Sequence, residues 1–190
     1  IVRRQPFGGW KRSAIGAGTK AGGPSYLHGL GDWEDAPVTA GRRAPRPRAA
    51  ALLSAAERSG IPAGDLEWLR SALGSDAVAW AEEFGVARDA SQLGVERNVL
   101  RYLPVPVVVR VGANASTAQV VRVVAAGLAA GSAPVVSTPV ALPGPIATAL
   151  AAADVEVHHE DRDAWASRIR SLATQEGPHA GARVRVVGDA

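Results

Sequence analysis

From residue 99 onward, short β-branched runs alternate with helix-length stretches, and this alternation constrains the fold more than any other feature. Residues 99–111 (VLRYLPVPVVVRV) read as a strand whose first half is bent or edge-like at Pro104 and Pro106. Ser116 and Gln119 have the spacing of a capping box and open a helix. Val120, Val123, Val124, Gly127 and Leu128 share one face of that helix, and Gly131 closes it. Residues 133–137 (APVVS), 155–158 (VEVH) and 183–187 (RVRVV) read as further strands, with a short helix over 145–153. Asp161 or Asp163 can cap another helix, on which Trp165, Ile169, Leu172 and Ala173 fall at helical spacing before Gly177-Pro178. Strand-helix alternation of this kind predicts an α/β fold with a parallel sheet covered by helices. A first strand followed by helix, strand, helix, strand, helix, strand is a Rossmann-like order. It stops just after a strand, so the domain over 99–190 is expected to be incomplete.

Residues 37–98 lack strand signals. Residues 37–48 are rich in Pro and Arg and read as an exposed linker. Three helical patterns follow: 48–59 up to Gly60, then 62–73 with Leu66, Leu69 and Leu73 up to Gly74. In the third, Ser75 can cap a stripe of Val78, Ala81 and Phe84 that ends at Gly85. A helical connector accounts for this stretch.

Charge excludes less than its sign suggests. The net charge is only +3, and all but two of the 21 basic residues are Arg, the exceptions being Lys11 and Lys20. The densest basic stretch, Arg42, Arg43, Arg46 and Arg48, is interrupted by Pro45 and Pro47 and lacks the interleaved aromatics of a nucleic-acid surface. A solvated linker is the favoured reading, and no nucleic-acid partner is expected. With 47% apolar and 21% charged residues, the chain has the composition of a folded protein. No apolar run reaches the roughly 18 residues of a membrane span. The absence of Cys removes disulfides, thiolate metal sites and thiolate nucleophiles together. The chain has no Met either, and Ile1 is read as interior to a longer protein.

Residues 1–36 are Gly-rich yet aromatic, with Phe7, Trp10, Ile15 and Tyr26 among the glycines, so this is not a flexible linker. A loop is expected, then a short strand around 25–30. Within it stands Gln5-Pro6-Phe7-Gly8-Gly9-Trp10-Lys11-Arg12-Ser13, followed by Gly16, Gly18 and Lys20-Ala21-Gly22-Gly23-Pro24-Ser25-Tyr26-Leu27. This segment resembles the C-terminal signature of the aldehyde dehydrogenase superfamily. The Lys-Ala-Gly-Gly-Pro-x-Tyr-Leu continuation is similar to the L-glutamate γ-semialdehyde (Δ1-pyrroline-5-carboxylate) dehydrogenase branch. In bacteria that activity is often fused to proline dehydrogenase in bifunctional proline utilisation A proteins. The helical stretch and α/β unit downstream resemble, in order alone, the extra C-terminal domain of the longer fusions.

The resemblance implies the organisation 1–36 as the end of an aldehyde dehydrogenase domain, 37–98 as linker and helical connector, and 99–190 as a Rossmann-like α/β domain. It implies a cytoplasmic, homo-oligomeric parent enzyme in proline catabolism, acting on a small-molecule substrate. In that chemistry a Cys thiolate attacks the aldehyde, hydride passes to NAD+, and an activated water releases glutamate. No catalytic residue falls in this chain, because the family's Cys, Glu and NAD site lie upstream of the motif. FAD enters only if proline dehydrogenase is fused upstream. Phe7 matches the aromatic that packs on the aliphatic part of the semialdehyde, where an apolar wall excludes water. An ordinary core aromatic is the alternative. Gly8 and Gly9 let the chain turn behind that ring, and Lys11 and Ser13 match motif positions without an assigned role.

Other constellations carry less. In His158-His159-Glu160-Asp161, adjacent His on a strand point to opposite faces and do not converge on one metal ion, so helix capping by the acids is the better reading. A dinucleotide site needs G-x-G-x-x-G after the first strand and an acid after the second. The first loop here has only Gly112, and the second strand ends in Ser137-Thr138-Pro139. An anion at the helix start by Ser116 and Thr117 stays open as an alternative. The competing view of the whole chain is a non-catalytic α/β covering or interaction module.

Overall fold

The computed structural model describes residues 8, 21, 26–34, 43–89, 91–173 and 182–189. They fall into two compact units, one drawn from Ile1–Pro37 and Gly85–Tyr102 and the other from Val38–Phe84 and Leu103–Ala190.

In the first unit, a 3-10 turn covers Tyr26–Gly29 where the sequence suggests a strand. Strands β1 (Arg88–Asp89) and β2 (Val99–Leu100) pair antiparallel. Asp89 holds the intervening loop: its carboxylate accepts the backbone N–H groups of Ser91 and Gln92 at 3.0 Å and of Asn98 at 3.2 Å. These bonds, led by the Gln92 N–H, outweigh partial desolvation and hold the carboxyl below its ordinary range.

The second unit carries α1 (Pro47–Glu57), α2 (Ala63–Ala79) and a π-helical extension at Trp80–Phe84. Its remaining elements are β3 (Val107–Val111), α3 (Thr117–Ala129), β4 (Val135–Thr138), α4 (Gly144–Ala152), β5 (Val157–His159), α5 (Arg162–Ala173) and β6 (Arg183–Val187). The four strands form one parallel sheet in the order β5-β4-β3-β6. Numbered by chain order within this sheet, that is 3-2-1-4, the order of the first four strands of a doubly wound nucleotide-binding sheet. The unit is thus mixed α/β, as the alternation implies.

Several boundaries differ from the sequence expectation for physical reasons. The continuous strand over 99–111 is instead two strands in two sheets, because residues 101–106, with two prolines, cannot sustain a ladder. The stop at Gly74 and the new start at Ser75 do not occur. Leu69, Leu73 and Ala77 continue one buried stripe through a buried Gly74, and tertiary packing overrides the glycine's helix penalty of roughly 1 kcal/mol.

The helices read as a connector line the core. Leu52, Ala55 and Ala56 of α1 and Leu69 and Leu73 of α2 join Val121, Val124 and Leu128 of α3 in one buried cluster. Residues 38–84 therefore belong to the same compact unit as the sheet. Helix α3 is buried on more than the single stripe expected, since Val120, Val121, Val124 and Ala125 are all inaccessible. It lies between the sheet on one side and α1 and α2 on the other. Two cations fasten this layer. Arg122 makes a bidentate pair with Asp76 at 2.6 and 2.9 Å, joining α3 to α2. Arg46 donates to the Ala129 carbonyl at 2.7 Å, at the C-terminal end of α3, while its guanidinium lies 5.2 Å from the Trp80 ring centre.

Ser116, Gly131 and Asp161 do mark helix ends, whereas Ser75 lies inside α2. Ser116 accepts from the Gln119 N–H and the Gln119 side chain accepts from the Ser116 N–H. Gly131 follows α3 with φ +77°. Asp161 accepts the Ala164 N–H at 2.8 Å at the start of α5. The expected close at Gly177-Pro178 lies outside the described residues. No helix among the described residues is long and apolar enough to cross a membrane.

Candidate functional site

In a doubly wound sheet, ligands bind beyond the C-terminal ends of the strands, where the direction of winding reverses. Here that point lies between β3 and β6, and its walls are the loop after β3 and the turn after β6. The chain itself fills it. Gly112 donates to the Val187 carbonyl at 2.8 Å. A Cβ on Gly112 would lie 1.8 Å from the backbone oxygen of Asp189, so only a glycine lets residue 189 cross this close. Gly188 has φ +77°, and a Cβ there would meet Asn114 Oδ1 at 2.5 Å. The Asn114 side chain then clasps Asp189 twice, accepting its backbone N–H at 2.6 Å and donating to its carboxylate at 2.5 Å.

A pyrophosphate approaching this loop would meet backbone where it needs space and a carboxylate where it needs a donor. The third requirement of a dinucleotide site, an acid at the end of the second strand, is also missing. Thr138 occupies that end, buried, with its hydroxyl donating to the Val140 carbonyl at 2.7 Å.

A second polar cluster lies on the opposite sheet face from α3. Alternation along β3 sends Val109 and Val111 toward α3, and Val108 and Arg110 toward α5. Arg110 is 7% exposed. It donates to the Ser137 hydroxyl at 2.9 Å and the Glu160 carbonyl at 3.0 Å, and its guanidinium lies 5.3 Å from the Trp165 ring centre. Ser137 in turn donates to Glu160 Oε2 at 2.6 Å, and Arg168 Nε donates to Glu160 Oε1 at 2.7 Å.

Burial alone would raise the Glu160 pKa. The Arg168 and Ser137 hydrogen bonds outweigh that and hold the carboxyl below the ordinary glutamate range. With both oxygens occupied and its charge stabilised, Glu160 is a poor proton acceptor, and His158, which pairs with Ser137 across the ladder, directs its Nε2 to Glu156 at 3.2 Å rather than to the Ser137 hydroxyl. The cluster ties β3, β4 and α5 together and performs no evident chemistry. The sequence reading passed over Arg110 and assigned Glu160 only to capping. The available signal was an arginine inside the apolar run VVVRV, since a charge in a buried strand requires partners.

Of the residues assigned from the motif, Gly8 is exposed. Phe7, Gly9, Lys11 and Ser13 lie outside the described residues. His158 and His159 point to opposite faces, with His158 3.2 Å from Glu156. Among the described residues no group of three His, Cys, Asp or Glu converges to hold a metal.

Comparison of the chain with protein-family models, with curated proteins and with solved structures finds no match.

Proposed function

We infer that the chain is the C-terminal part of an NAD-dependent aldehyde dehydrogenase that oxidises L-glutamate γ-semialdehyde to glutamate, and that its α/β unit is a non-catalytic covering or interaction module. The observation that carries the parent activity is the run from Gln5 to Leu27, with Phe7 as the apolar wall beside the substrate's aliphatic part. The closed crevice at Gly112 and Asp189 supports the second half of the reading, because it leaves this unit no space for a dinucleotide. NAD binding and the thiolate then belong to the sequence upstream of Ile1. FAD belongs to the protein only if a proline dehydrogenase domain precedes it.

The test has two arms. The 190-residue chain, supplied with the semialdehyde and NAD+, forms no NADH above a blank. The same chain preceded by its encoded upstream sequence forms NADH, and failure there overturns the reading.

In that extended enzyme Phe7→Ala removes an aromatic whose burial is worth roughly 1.5–3 kcal/mol. It lowers kcat/KM for the semialdehyde about tenfold to a hundredfold, with NAD+ affinity nearly unchanged. A lower melting temperature with normal kcat/KM per folded molecule would place Phe7 in the core instead.

A further inference from the structure

Strand β5 ends the sheet on one side, and the phase of its ladder shows which of its backbone groups are spare. Val136 N–H bonds the Glu156 carbonyl at 2.8 Å, and Glu160 N–H bonds the Thr138 carbonyl at 2.9 Å. In a parallel ladder the residues that bond a given neighbour alternate, so Glu156, His158 and Glu160 face β4. The N–H and C=O groups of Val157 and His159 therefore point away from the sheet, where no strand among the described residues meets them.

The same two residues direct their side chains to the α4 side of the sheet. There they line an open pocket of about 240 Å³ with Leu142, Ala147, Ala151 and Val155. Apart from His159 these lining side chains are aliphatic. An unpaired pair of backbone sites and an apolar pocket thus coincide on one strand. A further strand laid against β5 would bond Val157 and His159 and send alternate side chains into that pocket.

Charge narrows the occupant. Residues 154–161 hold four carboxylates and no Lys or Arg. Arg48 meets Asp154 at 3.5 Å and Arg168 neutralises Glu160, so the exposed carboxylates flanking the two-residue window are those of Glu156, which meets His158 at 3.2 Å, and Asp161, one oxygen of which also caps α5 through the Ala164 N–H.

The geometry points to β5 as a docking edge for an extended peptide segment of a partner, with aliphatic residues at alternate positions and arginine or lysine at its ends. Its backbone completes the edge, its aliphatic side chain fills the pocket, and its cations meet Glu156 and Asp161. This site is independent of the switch point and of the reading of the motif.

The probe is a capped, fluorescently labelled peptide Arg-Val-Thr-Val-Arg, titrated with the 190-residue chain at low ionic strength and followed by anisotropy. Saturable binding with half-saturation below about 1 mM is expected, at least tenfold tighter than for the same peptide with Glu in place of Arg. Two variants locate the site. Ala151→Phe fills the pocket from an exposed position on α4. His159→Pro removes an outward N–H from an edge strand, a position where proline is tolerated. Each weakens binding at least tenfold with an unchanged melting temperature. If His159→Pro fails to fold, Ala151→Phe alone decides. No saturation, equal binding of the acidic peptide, or unchanged affinity in the variants would overturn the proposal. So would sedimentation showing that a second copy of the chain occupies this edge and is displaced by the peptide.

Discussion

The two faces of the parallel sheet are held by different forces. On one, Val109, Val111 and Val136 meet α3, whose far side meets α1 and α2, and nearly every contact is aliphatic. On the other, α5 contributes no fully buried side chain among those described, residues 162–172. It is tied down by Arg110, Ser137, Glu160, Arg168 and the Trp165 ring. Aliphatic packing spreads its stabilisation over many contacts and does not depend on pH. A charge network concentrates its contribution in a few groups and loses it when one of them is neutralised or removed. The difference assigns α5 the role of the element that opens first and the α3 layer that of the cooperative core.

The largest effect should come from the packed face. Leu69 is fully buried on α2, and Leu69→Ala should cost about 2–5 kcal/mol in denaturant unfolding. A cost under about 0.5 kcal/mol would return α2 to the status of an exposed connector and break the comparison.

Next is the polar face. Glu160 and Arg168 side chains are 11% and 20% exposed. Glu160→Gln should cost roughly 2 kcal/mol, because the largely buried Arg168 guanidinium loses its carboxylate partner. Hydrogen exchange should rise across α5 and leave α3 protected. A uniform rise throughout the unit would show that α5 does not open separately.

The pH response sharpens the same point. The folded pKa of Glu160 lies below its unfolded value, so its contribution is fully present above the unfolded value. It is lost as pH falls through the folded one. Amide protection in α5 should therefore decline below about pH 4 in the parent chain, and Glu160→Gln should flatten that decline. Protection in α5 that improves on acidification would contradict the sign.

The smallest effect belongs to the half-exposed Asp76–Arg122 pair within the helical layer. Asp76→Asn should cost no more than about 1 kcal/mol, measured by the same denaturant titration.

The sequence made the packed face legible and the polar face obscure. Aliphatic periodicity located α3, β4, α4, the start of α5 and β6 to within a few residues and β3 only at its C-terminal end, and Ser116 with Gln119 marked the start of α3 because a capping box is local chemistry. The path through Gly74 was not legible, since what keeps that helix intact is the packing of Leu73 and Ala77 against distant residues. The coverage of α3 by α1 and α2 was hidden for the same reason. Arg110 was visible as an anomaly, but its partners are 27 and 50 residues away. The clasp of Asn114 on Asp189 spans 75 residues, and no spacing rule reaches that far. Strand order likewise follows from packing, and it was the order that identified where a ligand site would have stood.

This α/β unit has the strand order of a nucleotide-binding sheet and, at its switch point, a crevice filled by its own chain. Calorimetric titration of the chain with NAD+ tests it most directly. The closed crevice at Gly112, Asn114 and Asp189 predicts no saturable heat at millimolar ligand. Saturable binding with a dissociation constant at or below about 100 μM, roughly −5.5 kcal/mol, would contradict it.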